Sequence, residues 1–196
     1  MNTELRALRA ELLAMQETDL ITRRRLIDAG QLYGPHLPKD FYHPDMAAVH
    51  HNNNARLWEI VRQYGWPGLA LVGEDGCEAA WKIAQHAVLD PQLQAFCVSL
   101  LETAVAQGDA PGEHWAMLTD RVLMEKGEPQ IYGSIFVGGA DGKLVPWTIA
   151  DPDQVESRRQ AVGLPPLADH NRNLQARVQL ETQVQQAAQS DKKHSG

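Results

Sequence analysis

The sequence predicts a mainly α-helical fold, in which a compact multi-helix domain carries one small β-hairpin after its central helices, at the margin of the α+β class. Two observations support this prediction. Apolar residues recur at three- and four-residue spacing in successive segments, which glycine and proline separate. One later stretch, IYGSIFVGGADGKLVPWTI, is instead rich in β-branched and aromatic residues around a glycine and Asp-Gly turn, which is typical of a hairpin.

The first part of the chain predicts two helices joined by a loop. Leucine and isoleucine spacing favours an amphipathic helix from about Asn2 to Ala29. Two glycines and three prolines between Gly30 and Asp45 disfavour a continuous helix there. The helical pattern returns from Met46 to Tyr64, and the GWPG sequence that follows supplies a glycine stop and a proline that cannot continue the helix.

Further helices lie on both sides of the hairpin. Acidic residues in EDGCE favour a helix start soon after Gly73, because they complement the helix dipole. Asp90 before a proline is placed to end that helix and to cap the next one. A fifth helix ends at Gly127, and a short one after the hairpin ends at Gly163. We therefore expect an amphipathic helix and linker over 1–45, a core domain over 46–168, and a polar helical or disordered tail over 169–196.

Composition excludes several classes of partner. The net charge of -7 and the pI of about 5.6 disfavour binding to nucleic acid or to anionic membranes. Cys77 and Cys97 have no metal-binding spacing, and each lies in a helical segment where a thiol behaves as a small apolar group. The amino terminus lacks the apolar run of a signal peptide. We expect a soluble cytoplasmic protein with reduced thiols.

The first candidate site is the pair Gln85 and His86, which interrupts an apolar helical pattern near the end of the third helix. One interpretation is structural, since His86 lies four residues before Asp90 near a helix C-terminus and could form an ion pair there. The other is a pocket, in which His86 acts as an acid or base because the pKa of imidazole lies near neutrality. The sequence leaves both open.

Two further pairs complete the set of candidate residues. Asp120 could orient His86, while Arg121 could bind a carboxylate or phosphate through its planar donors. Gln130 and Tyr132 are two residues apart, so both would project from one face of an extended strand and could line the same pocket. Structural ties between the helices and the hairpin, or capping of the helix-to-strand junction, explain these pairs equally well.

No metal site or cofactor is predicted. His36, His43, His50 and His51 are close in sequence, but Pro38 and Pro44 break the helix that would align them, and no HExxH motif is present. Phosphate-binding loops of the GxxxxGK[ST] type, GxSxG elbows and a GxGxxG turn between a strand and a helix are absent from the sequence as well.

Four stretches, taken in order, resemble a bacterial family catalogued as Domain of Unknown Function 6624. They are NARLWEIVRQYGWPG, LVGEDGCEAAWKIAQHAVLDPQLQ, LTDRVLMEKGEPQIYGS and RRQAVGLPPL, and the resemblance spans about Val49 to Leu167. It implies that one set of polar residues belongs together, but it implies no reaction. That set is Gln85, His86, Asp120, Arg121, Gln130 and Tyr132.

Two functions are consistent with these observations. The leading hypothesis is a polar pocket that binds, and hydrolyses or modifies, a small molecule or peptide segment, with His86 and Asp120 as catalytic residues. The ligand would be bound by four further residues: Gln85, Arg121, Gln130 and Tyr132. Because Arg121 is positively charged, we expect the ligand to be an anion. The alternative is a non-enzymatic interaction protein, such as an immunity or regulatory partner, that uses its acidic surface and amino-terminal helix. The sequence leaves open whether the protein is an enzyme.

Overall fold

The structure, a computed structural model that describes residues 3–32, 41–138 and 144–179, confirms the mainly α-helical prediction. Five helices come first: α1 (Thr3–Asp28), α2 (Pro44–Tyr64), α3 (Leu69–His86), α4 (Pro91–Ala106) and α5 (Gly112–Glu125). An antiparallel hairpin of β1 (Phe136–Gly138) and β2 (Leu144–Pro146) precedes the short helix α6 (Val155–Ala161). Residues 167–179 form the described part of a last helix, α7.

The helix ends follow the sequence signals. Gly65 closes α2 with a φ of 74°, a left-handed value that glycine adopts without a Cβ clash. Asp90 caps α4, since its Oδ1 accepts a hydrogen bond from the backbone N–H of Leu93 at 3.0 Å. Gly73, with a φ of 73°, interrupts α3 after its first turn. The acidic residues of EDGCE therefore begin the uninterrupted part of α3, as the sequence predicts.

The main core lies between the five long helices. Helix α1 packs along α3 and also against α2, and α4 packs on α5. Leu12 of α1 and Leu57 of α2 are fully buried in this core, together with Leu118 of α5. Helix α1 thus contributes apolar side chains to the same core as the central helices.

A smaller apolar cluster of Ala116, Tyr132 and Leu164 joins α5 to the segment around the hairpin. The fully buried Arg159 of α6 stabilises this junction, because its Nη1 donates to the carbonyl of Tyr132 at 2.5 Å and its Nε to that of Pro165 at 2.7 Å. Burial lowers the pKa of the Arg159 guanidinium. Three carbonyl bonds, including one to Gly133 at 3.3 Å, offset the cost of burying this cation.

Some predictions concern parts of the chain outside the described residues. These are the middle of the Gly- and Pro-rich segment (33–40), the hairpin turn (139–143) and the end of the polar tail (180–196). Within the part of the chain that the structure describes, none of the helices combines the length and the apolar character needed to cross a bilayer.

Candidate functional site

Three helices bring Asp19 of α1, His50 of α2 and His86 of α3 into contact. The Oδ2 atom of Asp19 accepts a hydrogen bond from His50 Nε2 at 2.9 Å and another from His86 Nδ1 at 2.8 Å. The second nitrogen of the His50 ring, Nδ1, is hydrogen-bonded to the hydroxyl of Tyr42. We call Asp19, His50 and His86 the DHH cluster.

Burial differs sharply within the DHH cluster. The side chains of Asp19 and His50 are 3% and 8% exposed, whereas that of His86 is 39% exposed. Burial raises the pKa of Asp19, but the hydrogen bonds from His50 and His86 outweigh it and hold this pKa well below its usual range. Asp19 is therefore an ionised carboxylate beneath a partly exposed imidazole, although its Oδ1 is buried without a hydrogen-bond partner among the described residues.

The DHH cluster opens into a cavity of about 600 Å³, which we call the polar cavity. Trp81 forms part of its wall and is held there by stacking on His114, with ring centroids 4.4 Å apart. Among the described residues lining the cavity, Asp19 is the single carboxylate. Four lining residues carry a fixed positive charge: Arg23, Lys82, Arg121 and Arg177. More basic than acidic side chains thus line the polar cavity, even though Lys82 pairs with Glu78 at 3.0 Å, in a chain whose net charge is -7.

A second cavity of about 600 Å³ adjoins the first. It extends toward β1 and α7, where Ser134 and His170 line it. Gln85 and Arg121 line both cavities, as do Met117 and Arg177. A ligand longer than the polar cavity could therefore extend past Gln85 and Arg121 into this second space.

Gln85 and Arg121, which line both cavities, each carry a donor atom without a partner in the described part of the chain. Gln85 Nε2 and Arg121 Nε are both buried and have no hydrogen-bond partner among the described residues. The nearest carboxylate to Arg121, that of Glu125, lies 4.0 Å from its Nη1. Burial lowers the pKa of Arg121, although Glu125 raises it. An anion beside Arg121 would therefore replace hydration that burial has removed.

The end of α3, which carries Gln85 and His86, is fixed by a buried amide. Gln94 of α4 is 1% exposed, and its Nε2 donates to the carbonyls of Ala84 at 3.0 Å and Gln85 at 3.2 Å. These carbonyls belong to the last turn of α3, where the regular helical partners end, although that of Ala84 also accepts from the N–H of Ala87 at 3.2 Å. Gln94 thus holds the backbone from which His86 projects.

The local pairing of His86 with Asp90, one of the two interpretations that the sequence leaves open, is not formed. Asp90 uses Oδ2 to accept from Trp58 Nε1 at 2.8 Å and Oδ1 to cap α4. His86 contacts Asp19 instead, because the packing of α1 along α3 places that carboxylate next to the imidazole.

The carboxylate of Asp120 does not contact His86 and instead binds backbone groups of the loop before β1. Its side chain is fully buried, with Oδ1 accepting from the backbone N–H groups of Ile131 at 2.7 Å and Tyr132 at 2.9 Å, and Oδ2 from that of Ser134 at 2.9 Å. Asp19, and not Asp120, makes the contact with His86. Both oxygens of Asp120, which the sequence indicates as a residue that could orient the imidazole, are used by the loop before β1.

Gln130 and Tyr132 belong to the same structural junction. The fully buried amide of Gln130 donates to the carbonyls of Ile135 at 3.0 Å and Trp147 at 2.8 Å and accepts from the N–H of Ile135 at 2.8 Å. The Tyr132 ring packs edge-on against Trp115, and neither residue lines the two cavities. Gln130 and Tyr132 therefore lie at the helix-to-strand junction and away from these two cavities.

Sequence reasoning missed Asp19 and assigned no role to His50, although both carry a detectable signal. Asp19 lies seven residues after Leu12 and seven before Leu26, so it falls on the buried stripe of α1. His50 likewise lies seven residues before the buried Leu57 of α2. A charged or polar residue on a buried helical stripe needs a partner, and each of these two finds it in the other.

The donor set of the DHH cluster also suits a metal ion. Asp19, His50 and His86 each offer one ligand atom, and these atoms all lie within 4.8 Å of one another. One carboxylate oxygen and two imidazole nitrogens are a common ligand set for first-row divalent metals. Spacing among residues 36–51 did not reveal it, because the partners of His50 come from α1 and α3. His43 instead caps α2, and His36 is outside the described residues.

These features define a class: a helical protein whose polar cavity ends in a buried Asp-His-His cluster. The chain belongs to a family of unknown function, DUF6624, which matches residues 6–183. This match includes α1, and with it Asp19, so it extends well beyond the span over which the sequence motifs showed a resemblance. No curated protein and no solved structure matches the chain.

Proposed function

We propose that this protein binds a small anionic molecule or an acidic peptide segment in the polar cavity and hydrolyses or otherwise modifies it at the DHH cluster. The observation that carries the proposal is the charge of the cavity wall. Four cationic side chains and one carboxylate line the polar cavity, whereas the chain as a whole has 18 basic and 25 acidic residues. Such a local reversal of charge concentrates anionic ligands.

The residues that line the cavity have distinct roles in this proposal. Arg121, whose side chain is 31% exposed, binds a carboxylate or phosphate group through its guanidinium, and Gln85 lies beside it in the cavity lining. Trp81 supplies a flat apolar surface for the rest of the ligand. His86, the most exposed member of the DHH cluster, contacts the bond that reacts, while the ionised Asp19 fixes its ring. We also propose a cytoplasmic location, since Cys77 and Cys97 are buried free thiols.

Anion binding can be tested directly with inorganic phosphate and with succinate by isothermal titration calorimetry. Arg121→Gln removes the charge and keeps a similar length, so we expect it to weaken binding of at least one probe about tenfold or more, since a charge-assisted hydrogen bond contributes roughly 1.5–3 kcal/mol. Arg24→Gln is the matched control, because Arg24 is 66% exposed and pairs with Asp28 on the surface of α1. Equal affinities in wild type, Arg121→Gln and Arg24→Gln would contradict the proposal.

The interaction-protein hypothesis relied on the amphipathic face of the first helix. That face carries Leu8 and Leu12, which are 4% and 0% exposed in the shared core. Removal of residues 1–30 would therefore unfold the protein rather than remove a docking element. The burial of α1 therefore argues against the interaction-protein hypothesis, and of the two functions the ligand pocket is the better supported.

A further inference from the structure

We infer that Asp19 Oδ2, His50 Nε2 and His86 Nδ1 bind one divalent first-row transition metal ion, with zinc as the expected occupant, and that its remaining coordination positions face the polar cavity. This inference deepens the proposed function, on which it rests, by naming the chemistry of the DHH cluster. Two imidazoles and one carboxylate, with a further position left open, are a typical ligand set of catalytic zinc.

The distances match the edges of a coordination polyhedron. With metal–ligand bonds of about 2.0–2.2 Å, neighbouring ligand atoms lie about 2.8–3.1 Å apart in octahedral geometry and about 3.3–3.6 Å apart in tetrahedral geometry. Asp19 Oδ2 lies 2.9 Å from His50 Nε2 and 2.8 Å from His86 Nδ1. The two nitrogens are within 4.8 Å of each other. His86 is partly exposed at the end of α3, so its side chain can rotate to bring Nδ1 nearer to His50 Nε2.

The hydrogen bonding of Asp19 also supports a metal ion at the DHH cluster. Both imidazoles direct a nitrogen at one oxygen, Oδ2, while the other oxygen, Oδ1, is buried without a partner among the described residues. A carboxylate held only for structure would be expected to use both oxygens, as Asp120 does with three backbone N–H groups. A metal ion between Asp19 and the two rings would be coordinated by all three side chains and could also bind Oδ1.

Tyr42 provides an outer contact of the kind that orients metal-binding histidines. In the hydrogen-bonded arrangement, His50 donates from Nε2 to Asp19, and its Nδ1 accepts from the Tyr42 hydroxyl. Metal binding at Nε2 needs the other neutral tautomer, in which the hydrogen sits on Nδ1 and is donated to the Tyr42 oxygen. The hydroxyl serves as donor in the first case and acceptor in the second, so the Tyr42–His50 hydrogen bond is kept, while the metal ion replaces the bond from Nε2 to Asp19.

The position of the DHH cluster would allow a bound ion to contact a ligand in the polar cavity. All three residues line the polar cavity, so a bound metal would be accessible to the ligand on one side and enclosed by α1, α2 and α3 on the other. The ion would polarise an oxygen of the anionic ligand or lower the pKa of a bound water toward neutrality, which is the chemistry that hydrolysis requires.

The test is metal binding by the full-length protein after chelator treatment and dialysis, followed by calorimetric titration with zinc chloride and by metal analysis. We expect one zinc per chain. We expect His86→Ala and Asp19→Asn to weaken zinc binding at least roughly 100-fold, because loss of a ligand should exceed the 10–100-fold effect of an outer-shell change. His51→Ala is the matched control, since His51 is the exposed neighbour of His50 on α2 and should bind zinc like the wild type.

Circular dichroism establishes that each variant is folded. If Asp19→Asn fails to fold, His86→Ala carries the test, because its side chain is partly exposed at a helix end. Tyr42→Phe should weaken zinc binding about 10–100-fold if it orients a metal ligand. Absence of zinc binding by the wild type, or equal zinc affinity in His86→Ala and His51→Ala, would overturn the inference.

The failure of this inference is distinguishable from failure of the proposed function. Arg121→Gln should retain zinc at wild-type affinity while it weakens phosphate or succinate binding. If the wild type binds no zinc but anion binding still depends on Arg121, the metal inference is wrong and the anion pocket stands. If zinc binds and neither anion depends on Arg121, the metal centre stands and the proposed ligand class is wrong.

Discussion

The structural role of Asp120 predicts a large loss of stability in Asp120→Ala. This change removes the acceptor of three backbone N–H groups, which lie 2.7, 2.9 and 2.9 Å from its oxygens. Each hydrogen bond to a charged group contributes about 1.5–3 kcal/mol, but water entering the space left by the side chain should recover part of the total. We therefore expect the free energy of unfolding to fall by about 4 kcal/mol, which corresponds to roughly 8–16 °C in Tm for a chain of this size.

Urea unfolding followed by circular dichroism measures this loss. Asp120→Asn keeps one carbonyl oxygen but turns an N–H₂ group toward a backbone donor, so we expect it to cost about half as much as alanine. Glu102→Ala, which removes an exposed carboxylate from α4, serves as control and should lie within about 0.5 kcal/mol of the wild type. A loss below about 1 kcal/mol for Asp120→Ala would refute the reasoning. So would a folded Asp120→Ala protein that loses ligand binding without losing stability.

Three other predictions concern the packing that supports the cavity. Leu12→Ala should lower the free energy of unfolding by about 2–5 kcal/mol, measured by urea unfolding, because this fully buried side chain joins α1 to the core; a loss within about 0.5 kcal/mol would show that α1 contributes little. Burial lowers the pKa of His114, although Glu78 raises it, so the stability that its neutral ring provides is present above the unfolded pKa of about 6.5 and is lost as pH falls below it. The stability difference between wild type and His114→Gln should accordingly shrink between about pH 7 and about pH 5, and a constant difference would count against this assignment. Burial raises the pKa of Cys97 to about 12, so a thiol reagent at neutral pH should modify it only at the rate of unfolding, and rapid labelling of the native protein would contradict its burial.

The cavity shows how two regions of the chain with different sequence signals meet. The sequence indicates Gln85 because a polar pair interrupts an apolar helical pattern, and Arg121 because its planar donors suit an anion; both line the polar cavity. His86 was identified on the same grounds as Gln85 and lies at the reactive end of the proposed site. The carboxylate and the second imidazole come from α1 and α2, so no local motif includes them.

The sequence by itself determined the helices, their caps and the position of the hairpin, because spacing of apolar residues and the backbone preferences of glycine, proline and aspartate act within a few residues. Tertiary structure alone decided which polar groups meet. Asp19 and His86 are 67 residues apart in sequence and touch because α1 packs along α3. Asp120 and Gln130 also have polar side chains that the sequence makes conspicuous, but in the fold they bind backbone groups of the loop and hairpin. A buried N–H or C=O group without a hydrogen-bond partner destabilises the folded state, and these two side chains provide the partners.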